Sequence, residues 1–185
     1  MSRPQQLIMI FAMMFFSVNV FAITGTTSLM ATFNSTVTSG TCKSMLHDAH
    51  GDPSQTLDFG DIYITDIASG PTEKFAISLT ECQAVSKVVV TADASSECSG
   101  DSHQGAGFAN SNGDARGVSV ELWSGDAGTG EQFICSNLQG QEFAIAGDAV
   151  DLPMSARLAI AEGYNPGTLM AGSFDTTLTL LVTYQ

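Results

Sequence analysis

Apolar residues in this chain recur at every second position in short runs, and clusters of glycine, aspartate, serine and asparagine separate the runs. Phe75-Ile77-Leu79, Val88-Val90, Val118-Val120-Leu122, Phe143-Ile145 and Leu158-Ile160 are such runs. The last and longest, SFDTTLTLLVTYQ, places Phe174, Leu178, Leu180, Val182 and Tyr184 on one face. A period of two sends successive side chains to opposite faces of a strand, so each run has one face to bury. No stretch shows a comparable amphipathic helical period. About seven or eight short strands at this spacing predict an all-β antiparallel sandwich, with neither an internal repeat nor a linker long enough to divide it.

The first 22 residues stand apart from this pattern. MSRPQQLIMIFAMMFFSVNVFA carries Arg3, an apolar run, and Val20 and Ala22 at small-residue cleavage positions, which is the form of a signal peptide cut after Ala22. The run from Leu7 to Phe16, followed by Asn19, is shorter than the ~20 apolar residues a membrane-spanning helix needs. Cleavage would leave 163 of 185 residues, enough for one ordinary core, in an exported protein. Without Arg3 the chain holds 5 basic residues against 19 acidic ones, a net charge of −14 with no run of like charge. That balance excludes nucleic acid and anionic membrane as expected partners.

Four cysteines in an exported chain predict two disulfides, with three pairings open. None forms a C-x-x-C pair, so structural zinc and thioredoxin-like redox chemistry are not expected. A bridge closing a loop of about 40 residues contributes roughly 4 kcal/mol in the chain-entropy model.

The richest set of chemical groups is HDAHGD, where His47, Asp48, His50 and Asp52 offer imidazole and carboxylate ligands to a divalent ion. Its spacing matches no defined site, and it reads as a solvated polar loop after Cys42, so no metal or other cofactor is called for. A hydrolase nucleophile would need a G-x-S-x-G elbow, which is absent. His103, the third histidine, lies in the loop-like stretch from Ser95 to Gly117, and nothing marks any pair among the 19 acids as a glycosidase couple. No catalytic residue is assigned. WSGDAGTGE has no lysine and sits between strands, so it reads as a surface turn rather than a phosphate loop. Trp123 and Tyr164 are the aromatic residues to weigh for a sugar-binding face, but Trp123 ends an alternating strand and Tyr164 sits in a Gly/Asn/Pro turn. A secreted carbohydrate-binding sandwich and, behind it, a periplasmic enzyme using the HDAHGD loop are the alternative functions.

The stretch SLMATFNSTVTSGTC reads as a strand with Leu29, Ala31, Phe33, Ser35 and Val37 in phase on one face and Thr32, Asn34, Thr36 and Thr38 on the other. Asn34-Ser35-Thr36 matches a glycosylation sequon but is taken as strand. A long apolar edge near the start of the mature chain requires a pairing partner.

In order along the chain, this arm ends at Cys42 and FAISLTEC carries Cys82, while GFANSNGDARGVSVELW enters a central strand. ARLAIAEGYNPGTLMAGSFDTTLTLLVTYQ closes the sequence with Gly172, Phe174 and penultimate Tyr184. Together they resemble the pilin subunits of chaperone–usher fimbriae, over nearly the whole mature chain. The resemblance implies an incomplete immunoglobulin-like sandwich that lacks its C-terminal, seventh strand and is completed by a donor strand. It divides the chain into a signal peptide (1–22), an N-terminal donor-strand arm (23–40) and a pilin domain (41–185). It implies a structural subunit of shaft or adaptor type that contributes to cell adhesion, is not an enzyme, and travels through the periplasm to the surface fimbrium. The implied partners are a periplasmic pilus chaperone, an outer-membrane usher and neighbouring fimbrial subunits. The donor positions are then Leu29, Ala31, Phe33, Ser35 and Val37, with Ser35 where the family usually has glycine. The chaperone-binding C-terminal strand carries Phe174, Leu178, Leu180, Val182, Tyr184 and the carboxylate of Gln185. The implied bridges are Cys42 with Cys82 and, by remainder, Cys98 with Cys135.

Overall fold

Alternation becomes two facing sheets. The computed structural model describes residues 40–94 and 97–185, so the signal-peptide stretch, the arm positions Leu29, Ala31, Phe33, Ser35 and Val37, and the Asn34 sequon lie outside the described residues. The elements are β1 (Thr41–Asp48), α1 (Ile64–Ile67), β2 (Thr72–Gln83), β3 (Lys87–Ala94), β4 (Phe108–Ala109), β5 (Val118–Ser124), β6 (Glu131–Phe133), β7 (Gln141–Ala144), β8 (Val150–Ile160) and β9 (Leu178–Tyr184). One sheet has the order β1-β2-β8-β5-β4 with β6 also on β5, and the other has the order β7-β3-β9. Every pairing is antiparallel.

Registers follow from the period-two pattern. Ile77 is opposite Leu152 and Leu46, and Val120 is opposite Leu158, so apolar residues share the inner face across four strands. Leu79, Val88, Val90 and Phe108 are fully buried, and Leu122, Met154 and Phe133 nearly so. The outer face of the larger sheet is polar and organised. Glu121 lies directly across from Arg157, whose Nε donates to Glu121 Oε2 at 2.8 Å. The guanidinium sits 5.1 Å from the centroid of the Trp123 ring, and Trp123 Nε1 donates to the same carboxylate at 3.3 Å. Trp123 is therefore a packing residue with its indole partnered from both sides.

Several expectations are corrected. Residues 41–48 form a strand, so His47 and Asp48 end β1 rather than opening a loop. The stretch from Ser95 to Gly117 contains β4, whose Phe108 enters the core and is drawn there by pairing with Val120. The C-terminal strand starts at Leu178 rather than Phe174. Residues 173–175 are held instead by the preceding loop, with Asp175 N bonded to Asn110 Oδ1, Ser111 N to Asp175 O and Ala115 N to Ser173 O. Gly172 fits there because a Cβ would come within 2.5 Å of Ala115 N. Within WSGDAGTGE, Gly125 to Gly130 form the connection between β5 and β6, as the composition indicates.

Candidate functional site

Among the described residues, β1 is paired with β2 alone and β9 with β3 alone, so each sheet ends there in an edge strand, and these edges flank one groove. The groove encloses about 1660 Å³. Its floor is core: Ile77 from β2, Val120 and Leu122 from β5, and Leu158 from β8. One wall is Leu46 of β1 together with Leu57, Phe59 and Ile62 from the long connection to α1, and the other is Leu178, Leu180 and Val182 of β9.

Burial differs between the two neighbouring strands of the smaller sheet. The inward positions of β3, Val88, Val90 and Ala92, are 0%, 0% and 4% exposed. On the neighbouring β9, Leu178, Leu180, Val182 and Tyr184 pack against the same core yet stay only partly buried. β9 has the same apolar pattern in the same sheet, and among the described residues it is paired on one side only. An edge of this kind beside half-buried leucine and valine is a template for a further strand. Part of the β1 edge is already covered, because the chain reverses after Asp48 and Ser54 N donates to Leu46 O at 3.1 Å.

That reversal explains the HDAHGD stretch. Asp48 Oδ1 accepts from the backbone N–H of His50 and of Asp52, each at 2.9 Å, which closes the turn. The N–H of Asp52, helped by those of His50 and Gly51 and by the nearby His50 ring, holds the Asp48 carboxyl below the usual aspartate range against an opposing cost of desolvation. His47 is elsewhere, on β1, where Nδ1 lies 2.6 Å from Ser78 Oγ. Ser78 gives its single hydroxyl proton to Asp151 Oδ1 at 2.5 Å, so His47 is the donor in the pair. The His47 and Asp48 side chains thus serve two separate structural tasks, and His50 and Asp52 join the turn through their backbone N–H groups. Among the described residues no group of three or more His, Cys, Asp or Glu side chains is arranged to hold a metal ion.

At the far end of β9 the C-terminus is tied in. Gln185 O accepts from Ser86 N at 2.9 Å and Lys87 N at 3.0 Å, and Gln185 N donates to Lys87 O at 2.8 Å. Cys42 is bonded to Cys82, joining the edge strand β1 to β2. Cys98 is bonded to Cys135, joining the segment before β4 to the end of β6. Tyr164, in its turn, donates to Asp101, which with that carboxylate's charge raises the phenol above its ordinary value. Sequence reading found the inward residues of β9 but missed the groove wall formed by Leu57, Phe59, Ile62 and α1, which shows no regular period.

A family model described as Fimbrial protein matches residues 31–185. The uncharacterized fimbrial-like protein YadL of Escherichia coli (strain K12) is 32% identical over 179 residues, covering 90% of this chain and 89% of YadL. Among solved structures, the P pilus rod subunit PapA superposes with a TM-score of 0.51 at 15% identity, over 71% of this chain and 93% of PapA. A chaperone–usher pilus whose structure bears on rod uncoiling gives 0.56 at 16% identity, over 87% of this chain and 98% of that one. At such identities the two structures share the fold.

Proposed function

Because this chain belongs to the fimbrial protein family, we propose that it is a structural subunit, shaft or adaptor, of a chaperone–usher fimbria, assembled by donor-strand exchange and contributing to cell adhesion. The observation that carries this reading is the pair of edges on β1 and β9 that no further described strand covers, with a groove floored by core residues between them. A periplasmic chaperone lends a strand to the groove, and the arm of a neighbouring subunit replaces it in the fibre at the cell surface. Residues 1–22 are the signal peptide, 23–40 the donor arm and 41–185 the pilin domain. Leu29, Ala31, Phe33, Ser35 and Val37 face the acceptor groove; burying Leu29, Phe33 and Val37 at ~1.5 to 3 kcal/mol each contributes roughly 5 to 9 kcal/mol, offset in part by ordering the arm. The role is structural rather than catalytic.

The test is the state of the purified chain. Released from its chaperone, it should unfold readily or polymerise, whereas in the chaperone complex it should be a stable one-to-one species. A chaperone-free chain that remains a stable monomer would favour the carbohydrate-binding sandwich.

A further inference from the structure

The groove runs on past the start of β9 along residues 170–177, and a side chain that does not line it shapes it there. Asn110 directly follows β4, whose Phe108 is in the core and whose Ala109 pairs with Ser119, so its backbone is anchored to the larger sheet. Its amide makes four hydrogen bonds, all to backbone groups. Nδ2 donates to Ala115 O and to Ser173 O, each at 2.9 Å, and Oδ1 accepts from Gly113 N at 3.1 Å and from Asp175 N at 2.8 Å. An asparagine amide has two protons to give and two lone pairs to fill, so this one is fully used.

Two of the four partners flank a single residue. Ser173 O and Asp175 N stand on either side of Phe174, and both are bonded to Asn110. Phe174 lines the groove and packs against the core while staying half-buried. The loop that holds it has no room to slide, since a Cβ on Gly113 would strike Ser173 O and one on Gly172 would strike Ala115 N. Leu178, Leu180 and Val182 have a different anchor, because they are paired with Ala94, Ala92 and Val90 of β3. Asn110 therefore controls the groove beyond β9 without holding β9 itself.

We propose that Asn110 is a positioning residue for strand acceptance: it holds Phe174 where an incoming strand seats an apolar side chain beyond the end of β9. The inference rests on the groove reading above. The experiment follows Asn110→Ala, Phe174→Ala and the double variant, each expressed with its chaperone, usher and companion subunits. It reads chaperone-complex yield, surface fibre content and, in the purified chaperone complex, hydrogen exchange of the Asp175 and β9 amides. Asn110→Ala should speed exchange at Asp175 and leave β9 protected, with complex yield close to wild type. Fibre content per unit of complex should fall about tenfold in each single variant, and the double variant should fall no further than Phe174→Ala, because two residues that act through one contact are not additive. Phe174→Ala keeps all four backbone partners of Asn110, so it tests the contact even where Asn110→Ala fails to fold. Wild-type fibre content in Phe174→Ala, or losses that simply add in the double variant, would overturn the proposal and leave the groove reading standing. A wild-type chain that gives no chaperone complex and stays a stable monomer would overturn the groove reading as well.

Discussion

Val90 and Val182 are directly opposed in the β3–β9 ladder, and only Val90 is buried. The two side chains share residue type, sheet and inward orientation. They differ in the number of neighbouring strands: β3 lies between β7 and β9, whereas beyond β9 there is the groove. An apolar residue of this size gains ~1.5 to 3 kcal/mol on full burial, and that gain is left partly unrealised along β9. On the proposed reading, an incoming strand would realise it.

Truncation probes the end of that strand. Thr183 and Tyr184 pair with Val89 and Val88, and Gln185 closes the ladder against Ser86 and Lys87. Removing Thr183 to Gln185 should abolish the periplasmic chaperone complex, because both the outer ladder and the carboxylate expected to meet the chaperone's basic residues are lost. Co-purification of the truncated chain at wild-type yield would refute this.

The two bridges should separate in their effects. Cys98 and Cys135 close a loop of 37 residues away from the groove edges, so replacing both with serine should lower unfolding stability by about 4 kcal/mol while the chaperone complex still forms. Cys42–Cys82 ties down β1, the groove's own edge. Its loss should reduce the chaperone complex itself. Denaturant unfolding alongside complex yield distinguishes the pair; equal losses of complex for both would contradict the assignment.

The arm prediction follows from parity. Phe33 should enter a neighbour's groove and Asn34 face away from it. Burying an unpaired carboxylate costs several kcal/mol, so Phe33→Asp should block incorporation into fibres yet leave the chaperone complex intact. Asn34→Asp, one residue along on the other face, should assemble nearly as well as wild type. Surface fibre content and chaperone-complex yield read both variants, and normal assembly of Phe33→Asp would show that this stretch is not the donor.

Asp48 gives the turn beside β1 a pH dependence. Its folded-state pKa is held below the usual range, first by the Asp52 N–H. A depressed carboxylate pKa contributes stability above the unfolded value, near 3.9, and that contribution is lost as pH falls through the folded value. Hydrogen-exchange protection of the His50 and Asp52 amides should therefore decline below about pH 4, and Asp48→Asn should remove the dependence. Protection that falls equally in both proteins would show that another group controls the turn.

What the sequence discloses depends on whether one local pattern decides the outcome. The inward residues of β2, β3, β5, β8 and β9 are legible because alternation forces them to one face. Phe174 keeps the same parity and yet lies outside β9, since backbone bonds from Asn110, Ser111 and Ala115 take its neighbours out of the sheet. Those partners are about 60 residues away in sequence and leave no local trace. Phe108 is hidden for the same reason, as glycine, serine and asparagine around it signal a loop while its pairing with Val120 pulls it into the core. The groove wall from Leu57 to Ile62 has no period to read. Adjacency groups His47 with Asp48, whereas strand geometry sends it to Ser78 and leaves Asp48 in the turn.

The central claim is that the inner face of β9 is finished by another chain. Leu180 lines the groove and is half-buried, and Leu181, the next residue on the opposite face, is 58% exposed. The most direct measurement compares Leu180→Asp with Leu181→Asp for chaperone-complex yield and surface fibre content. The account predicts that Leu180→Asp loses both, since several kcal/mol of carboxylate desolvation falls on the partner-filled state, and that Leu181→Asp forms the chaperone complex at close to wild-type yield. Equal, near-normal yields of complex and fibre for the two variants would contradict it.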